Sequence, residues 1–336
     1  GATTENEFKA GEYIKQVFEK AGLQVKTQEF LSIPTFSYPY LVIFILALLG
    51  TFLSFFSNIF LLLVFILFIV YNMEYIYMKP IITGLIAWFL RKKSRNIIGV
   101  YKNGEPRVKI VFIAHYDTTK AASIFKPEKV KGLRFLLKSS FYFFGILTAY
   151  SLIYLVLSIW NILPIESIFG INVDLLLYII LIILALPLVI TVGNLLEREL
   201  KHKYVPGAND NGSGVAVLLS LAEEIAEKQI RNVEIYFVAT GSEEVGMLGM
   251  INFIKEYKSV LSGAYTINFD NPGKGTLVYT SCEGLIKVFC SKKGKLLEIA
   301  ENVGEKMGIR AFTYRLLPTD ATILMKYNYE AISVMA

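Results

Sequence analysis

Histidine and cysteine are scarce in this chain. Of 336 residues only two are histidine and two are cysteine. Cys282 and Cys290 offer neither a disulfide framework nor a cysteine-based metal site. Either can stand as a buried thiol, and they leave the compartment open. Charge is missing from two long stretches. None occurs between Glu29 and Glu74, and only Glu166 and Asp174 interrupt the run from Lys138 to Glu197. Elsewhere the composition is that of a soluble protein. A total of 54% hydrophobic residues is too apolar for an ordinary soluble chain, so a membrane part inserted into a soluble domain is expected. The net charge of +6 does not point to nucleic acid. The basic residues crowd beside the apolar segments, which favours a lipid bilayer as the partner.

The first residues, Gly1 to Glu7, are polar and lack the apolar run of a signal peptide. With no starting methionine, the numbering is expected to begin at a processed, tagged or truncated end. Phe8, Tyr13, Ile14, Val17 and Phe18 recur at helical spacing, Gly22 stops that helix, and residues 23–30 alternate like a strand. Residues 1–38 therefore read as the start of a soluble domain. Residues 39–95 read as a membrane hairpin, with spans at 40–56 and 59–78, plus an interfacial helix at 81–90. That last stretch is too short to span and runs into Arg91, Lys92, Lys93 and Arg95.

Residues 96–119 resume the soluble pattern, as strands 96–101 and 107–114 paired through a turn at Asn103-Gly104. Residues 120–204 form a basic linker and a second hairpin, with spans at 141–163 and 175–196; Pro187 is expected to kink the last of them. Residues 205–336 complete the soluble domain: helices over 213–228, 245–258, 295–307 and 322–327, strands over 233–239, 264–269 and 331–335, and short strands within 276–290. Strands alternating with helices mean an α/β fold with a mainly parallel, mixed sheet flanked by helices.

Lysine and arginine fill the linkers on the soluble-domain side: Lys79, Arg91 to Arg95, Lys120 to Lys138, Arg198, Lys201 and Lys203. The opposite loops, Ser57-Asn58 and 161–174, carry none. The positive-inside bias then puts the soluble domain in the cytoplasm. Segments that share one sheet require each insertion to cross an even number of times, and four spans satisfy that.

Four stretches place acids or a histidine in loops. His115-Tyr116-Asp117 ends an apolar strand, and Asp210 lies in the glycine-rich run 207–214. Glu243-Glu244 follows the next strand, and Asp270 the one after. Groups just past strand C-termini line the ligand crevice of α/β proteins. Each stretch alone has a plainer explanation: a polar strand end, a glycine turn, or the acidic first turn of a helix. Together, one imidazole with several carboxylates suits Zn²⁺, Co²⁺ or Mn²⁺. Two such ions and an unligated carboxylate make a hydrolytic site.

In order and composition these motifs resemble the di-zinc aminopeptidase and glutamate carboxypeptidase family of metallopeptidases. The likeness covers the soluble part; the membrane insertions are not typical of that family. The resemblance implies a zinc exopeptidase fold, two Zn²⁺ ions and a peptide substrate. It implies His115, Asp210, Glu244 and Asp270 as metal ligands, with Asp210 bridging and the Asp210–Asn211 peptide cis. Asp117 would orient His115, and Glu243 would be the general base. Asp320 matches an acidic position before the family's last helix. The family's second zinc also takes a histidine just beyond the strand at 331–335. His202 lies in a basic linker and suits a surface or headgroup role better. Either the chain continues past Ala336 to supply that histidine, or the protein is a metal-poor relative. The former is expected, because a domain rarely stops on an apolar strand.

The expected activity is that of a membrane-embedded zinc aminopeptidase. Its rivals are a glutaminyl-cyclase-like transferase, which shares the site architecture, and a non-catalytic receptor or scaffold on the peptidase fold. The spans lack intramembrane charge pairs, which disfavours a transporter.

Overall fold

The computed structural model describes residues 1–160, 162 and 173–336. Glu166 and most of the second connecting loop lie outside them. The chain divides into two units. One holds residues 1–36, 84–120 and 204–336, and the other holds residues 37–83 and 121–203.

The first unit is built on a sheet of nine strands among the described residues, in the order β1-β2-β4-β3-β5-β9-β6-β7, with β8 beside β6. The strands are β1 (Gln24–Leu31), β2 (Lys93–Asn103), β3 (Val108–His115), β4 (Val233–Thr240), β5 (Tyr265–Phe269), β6 (Val278–Glu283), β7 (Phe289–Cys290), β8 (Arg310–Tyr314) and β9 (Ala331–Met335). At its centre β4, β3, β5 and β9 run parallel. The expected β2–β3 hairpin does not form. Instead β4 lies between the two, antiparallel to β2 and parallel to β3. Asn103-Gly104 turns the chain without pairing its flanks, because a buried β-branched strand from far downstream satisfies both edges.

Phe112 stacks between Phe237 and Phe269 at centroid distances of 5.7 and 5.9 Å, so one aromatic row crosses three adjacent strands. That face also buries Ile235 and Ala239. It gathers the apolar stripes of α1 (Glu5–Lys20), through Ile14 and Phe18, and of α7 (Ser213–Lys228), through Leu218, Ala222 and Ile225. The period-2 alternation of a strand sends Tyr236 to the other face, where its ring meets Tyr257 of α8 (Leu248–Leu261).

The two cysteines are not free thiols. Cys282 and Cys290 face each other across β6 and β7 and form a disulfide. Sequence spacing alone missed this pair because the hairpin register that opposes them was not visible. The strand β8 was missed as well: it is short and largely exposed, so it shows no apolar alternation.

The second unit is a helical cluster. It contains α2 (Ser37–Leu53), α3 (Leu61–Tyr75), α5 (Pro127–Ile159) and α6 (Val173–Lys201), which runs through Pro187. Phe44, Tyr71 and Phe144 meet at its centre with Leu61, Leu67, Leu147 and Leu188. Among the described residues, three helices are apolar enough by length and composition to cross a membrane, over Asn58–Tyr75, Lys131–Ile159 and Leu175–Lys201. The helix Ser37–Leu53, with 17 residues, is shorter. At the end of α3, Glu74 accepts backbone N–H groups from Ile81, Ile82 and Thr83 at 2.8, 2.8 and 2.9 Å. A carboxylate there complements the N-terminus of α4 (Ile82–Leu90). His202 contacts Ser123 and Glu197 in this unit.

Candidate metal centre

Three parallel strands stop in register and deliver the site. His115 is the last residue of β3 and lies opposite Thr240, the last residue of β4. The chain leaves β4 through Gly241-Ser242 into Glu243 and Glu244, and leaves β5 at Asp270. Gly241 cannot carry a side chain: a Cβ there would sit 2.5 Å from Arg95 O and Ser94 Oγ. The acids Glu243 and Glu244 do not form the first turn of a helix. α8 begins only at Leu248, after Gly246 and Met247 with positive φ.

His115 Nε2 lies 3.1 Å from Asp210 Oδ1, 3.9 Å from Asp270 Oδ1 and 4.0 Å from Glu243 Oε2. Ligand atoms of His115, Asp210 and Asp270 all fall within 4.8 Å of one another. The Asp210–Asn211 peptide is cis. Asp117 does not hold the imidazole through a carboxylate hydrogen bond, since Nδ1 to Oδ1 is 3.7 Å. Its backbone carbonyl is nearer, at 3.2 Å from Nδ1. The Asp117 carboxylate instead accepts the backbone N–H of Glu243 on Oδ1 at 2.9 Å and that of Glu244 on Oδ2 at 3.2 Å.

The side chain of Asn211 has a role beyond its peptide bond to Asp210. Its Nδ2 donates to Phe269 O at 2.8 Å, and its Oδ1 accepts the N–H of Gly214 and of Asn271, each at 3.1 Å. One amide thus ties the loop of Asp210 to the residues on both sides of Asp270. Asn271 in turn donates to Asp270 Oδ1 at 2.7 Å. The only signal in the sequence was the polar run around Asp210, with no indication of which atoms it would reach. Asp320 is buried at the start of α10 (Asp320–Lys326), where Thr240 Oγ1 donates to its Oδ2 at 2.5 Å. Beneath it Glu283 accepts hydroxyls from Thr280, Thr319 and Thr322 at 2.5, 2.7 and 2.6 Å.

Crowded acids on this rim favour a bound cation. Burial pushes Glu243 well above the usual carboxylate range, Glu244 to about 8, Asp320 to about 7 and Asp270 to about 6, with neighbouring carboxylates adding to each shift. Burial alone would lower His115, but the negative charge of Glu243 and its neighbours raises it well above its ordinary value. Glu244 Oε1 is buried with no hydrogen-bond partner. A borderline divalent ion answers all three features, because it takes an imidazole nitrogen and carboxylate oxygens together and relieves the repulsion between the acids.

The chain thus carries an α/β sheet with this donor set at the C-terminal ends of its parallel strands. Residues 193–334 match the model of Peptidase family M28. The chain is 30% identical over 105 residues to Aminopeptidase YwaD of Bacillus subtilis, covering 31% of this chain and 23% of that protein. It is 34% identical over 85 residues to Probable lipoprotein aminopeptidase LpqL of Mycobacterium tuberculosis, covering 24% of this chain and 17% of that one. The aligned stretches therefore span a quarter or less of these relatives. The solved structure of an aminopeptidase from Aneurinibacillus sp. strain AM-1 superposes with a TM-score of 0.50 at 12% identity, over 99% of this chain and 80% of that one. At that identity the likeness is one of fold.

Proposed function

We propose that the protein is a membrane-embedded, zinc-dependent aminopeptidase that hydrolyses the N-terminal bond of a peptide. The observation that carries this reading is the meeting of His115, Asp210 and Asp270 with Glu243 and Glu244 at one rim of the sheet. His115, Asp210 and Asp270 would hold one ion, and Asp210 and Glu244 would contribute to a second. Zinc bound there supplies a Lewis acid that acidifies water and polarises a peptide carbonyl.

The remaining chemistry belongs to the chain. Glu243 contacts no ion in this assignment, so its carboxylate is free to take a proton from the attacking water and return it to the leaving amine. The Asp117 carboxylate fixes the backbone at Glu243 and Glu244, which sets where both side chains aim. Burial of the rim strengthens each of these electrostatic contacts.

The membrane reading rests on the apolar helices and on connectivity. One sheet takes strands from three chain segments, so each insertion must leave and return on the same side. Two crossings apiece meet that requirement if α2 spans; its 17 residues sit at the lower end of the roughly 17–25 that cross a bilayer. The basic linkers put the peptidase unit on the cytoplasmic face. The domain boundaries proposed are residues 1–38, 96–119 and 205–336 for the peptidase part, with membrane insertions at 39–95 and 120–204.

The test is Glu243→Gln in the full chain, purified in detergent with zinc. Release of N-terminal residues is expected to fall by roughly 10²–10⁴-fold, with unchanged zinc content and unfolding midpoint. Unchanged hydrolysis would overturn the assignment. Mass analysis of glutamine-initiated peptides identifies a cyclase by loss of ammonia without chain cleavage.

A further inference from the structure

The helix α4 carries an apolar face that nothing in its own unit covers. Leu85, Trp88 and Phe89 are 60%, 55% and 78% exposed, and their spacing of three and four residues puts them on one side. Thr83 and Ala87, on the other side, are buried. Ala87 belongs to a core cluster with Phe30, Ile33, Val245 and Leu248, and Ile86 packs against it. Val245 follows directly on Glu243-Glu244, so the inner side of α4 forms part of the wall behind the base. Arg91 stacks its guanidinium 4.8 Å from the centre of the Trp88 ring, and Lys92 is exposed beside it.

From these residues we propose that the outer face of α4 lies in the headgroup region of a bilayer and prefers acidic lipid. This rests on the membrane reading above. Nine residues rise about 14 Å, half a hydrocarbon core, so α4 lies along the surface and does not cross. Its depth is limited by its start: the Glu74 carboxylate at the end of the apolar helix α3 holds the amides of residues 81–83. Tryptophan beside arginine is the pairing that an interface selects, with the ring at headgroup level and the cation on lipid phosphate. The lipid contact and the turn after Glu244 therefore share one short helix.

The chain has two tryptophans, which makes the test direct. Trp160→Phe leaves Trp88 as the only tryptophan and Trp88→Phe leaves Trp160, which follows the last residue of α5. Each full-length variant is reconstituted in phosphatidylcholine vesicles with and without phosphatidylglycerol. Emission is compared with lipids brominated at shallow and deep acyl positions, and with aqueous iodide. Trp88 is expected to lose roughly half its emission to shallow bromines and to resist iodide, because interfacial helices bury about 5–10 Å deep. The quenching should be greater with acidic lipid, and Arg91→Gln with Lys92→Gln should remove that difference. Should Trp160→Phe fail to fold, the difference between wild type and Trp88→Phe reports the same ring.

Trp88 open to iodide and untouched by bromines overturns the proposal. So does Trp88 shielded from both, which would mean a protein surface covers it. If Trp160 is quenched by bromolipid while Trp88 is not, the membrane reading stands and only the role of α4 is lost. If neither is quenched, the membrane reading itself fails.

Discussion

Asp117 accepts the backbone N–H of Glu243 at 2.9 Å, from a strand end 126 residues earlier in the chain. The same carboxylate takes the N–H of Glu244. The loop that bears both acids is therefore held by its backbone, and their side chains are left free for solvent, metal or substrate.

Asp117→Asn keeps one acceptor and replaces the other with an NH₂ group that cannot accept. Turnover is expected to fall by about 10–100-fold, the usual cost of losing a group that orients ligands, with a matching loss of zinc affinity. Steady-state kinetics alongside zinc titration against a chromophoric chelator gives both numbers. Full activity in the variant would show that the loop is fixed by other contacts.

Asn211 is expected to behave as a structural tie between the two acid-bearing loops. Asn211→Ala leaves one carbonyl and two N–H groups unpartnered in a buried place, at about 1–3 kcal/mol each before relaxation. Urea unfolding should show the loss, and zinc affinity should fall with it because Asp210 and Asp270 are no longer held together. Gly214→Ala should do similar damage, since its Cβ would meet Asn211 Oδ1 at 2.3 Å and Phe269 O at 2.5 Å. Wild-type zinc affinity in both variants would contradict this role.

Glu7 makes stability depend on pH. It is buried, accepts from Ser94 Oγ at 2.7 Å and from the N–H of Thr3 at 2.6 Å. Burial, with the charge of Asp117 adding, raises it from 4.5 to about 7 against the pull of those hydrogen bonds. Below 4.5 the acid is protonated in both the folded and unfolded states and costs nothing. From 4.5 up to about 7 only the unfolded state releases the proton, so the stability that the protonated, buried acid gives at low pH is lost as pH rises to about 7. Glu7→Gln should gain thermal stability relative to wild type between about pH 5 and about pH 8. A constant difference between the two proteins would show that Glu7 does not titrate there.

The disulfide pulls against the cytoplasmic placement. Such bonds persist in oxidising compartments, whereas the first unit is proposed to lie inside on the distribution of lysine and arginine. With the unit inside, a phosphatase fused after Asp174 should be active. Rapid maleimide labelling of intact cells lysed in acid should then find Cys282 and Cys290 reduced, with the bond closing during purification. An inactive phosphatase, or cysteines already paired in the cell, would put the unit on the other side.

Much of the rim was legible in the sequence because strand-end acids follow uninterrupted apolar runs. His115, Asp210 and Asp270 meet, and Glu243 stands beside them. Contacts that depend on backbone atoms left no such trace. The Asp117 clamp and the Asn211 tie involve ordinary polar residues whose partners are fixed only by the fold. Strand order was hidden for a related reason. Two strands joined by Asn-Gly look like a hairpin until a third strand competes for the same edges, and nothing local announces that β4 will win.

That insertion of β4 has a consequence for how the protein is made. β3 finds both its neighbours, β4 and β5, downstream in the chain. Until residues 233–269 leave the ribosome, its backbone groups have no partner, and the second apolar insertion must find its place during that wait. An unpaired apolar strand is a hazard for association with other chains. If the apolar helices cross a bilayer as proposed, their early docking would hold nascent chains apart through that interval, and the bilayer would guard the sheet before it is complete.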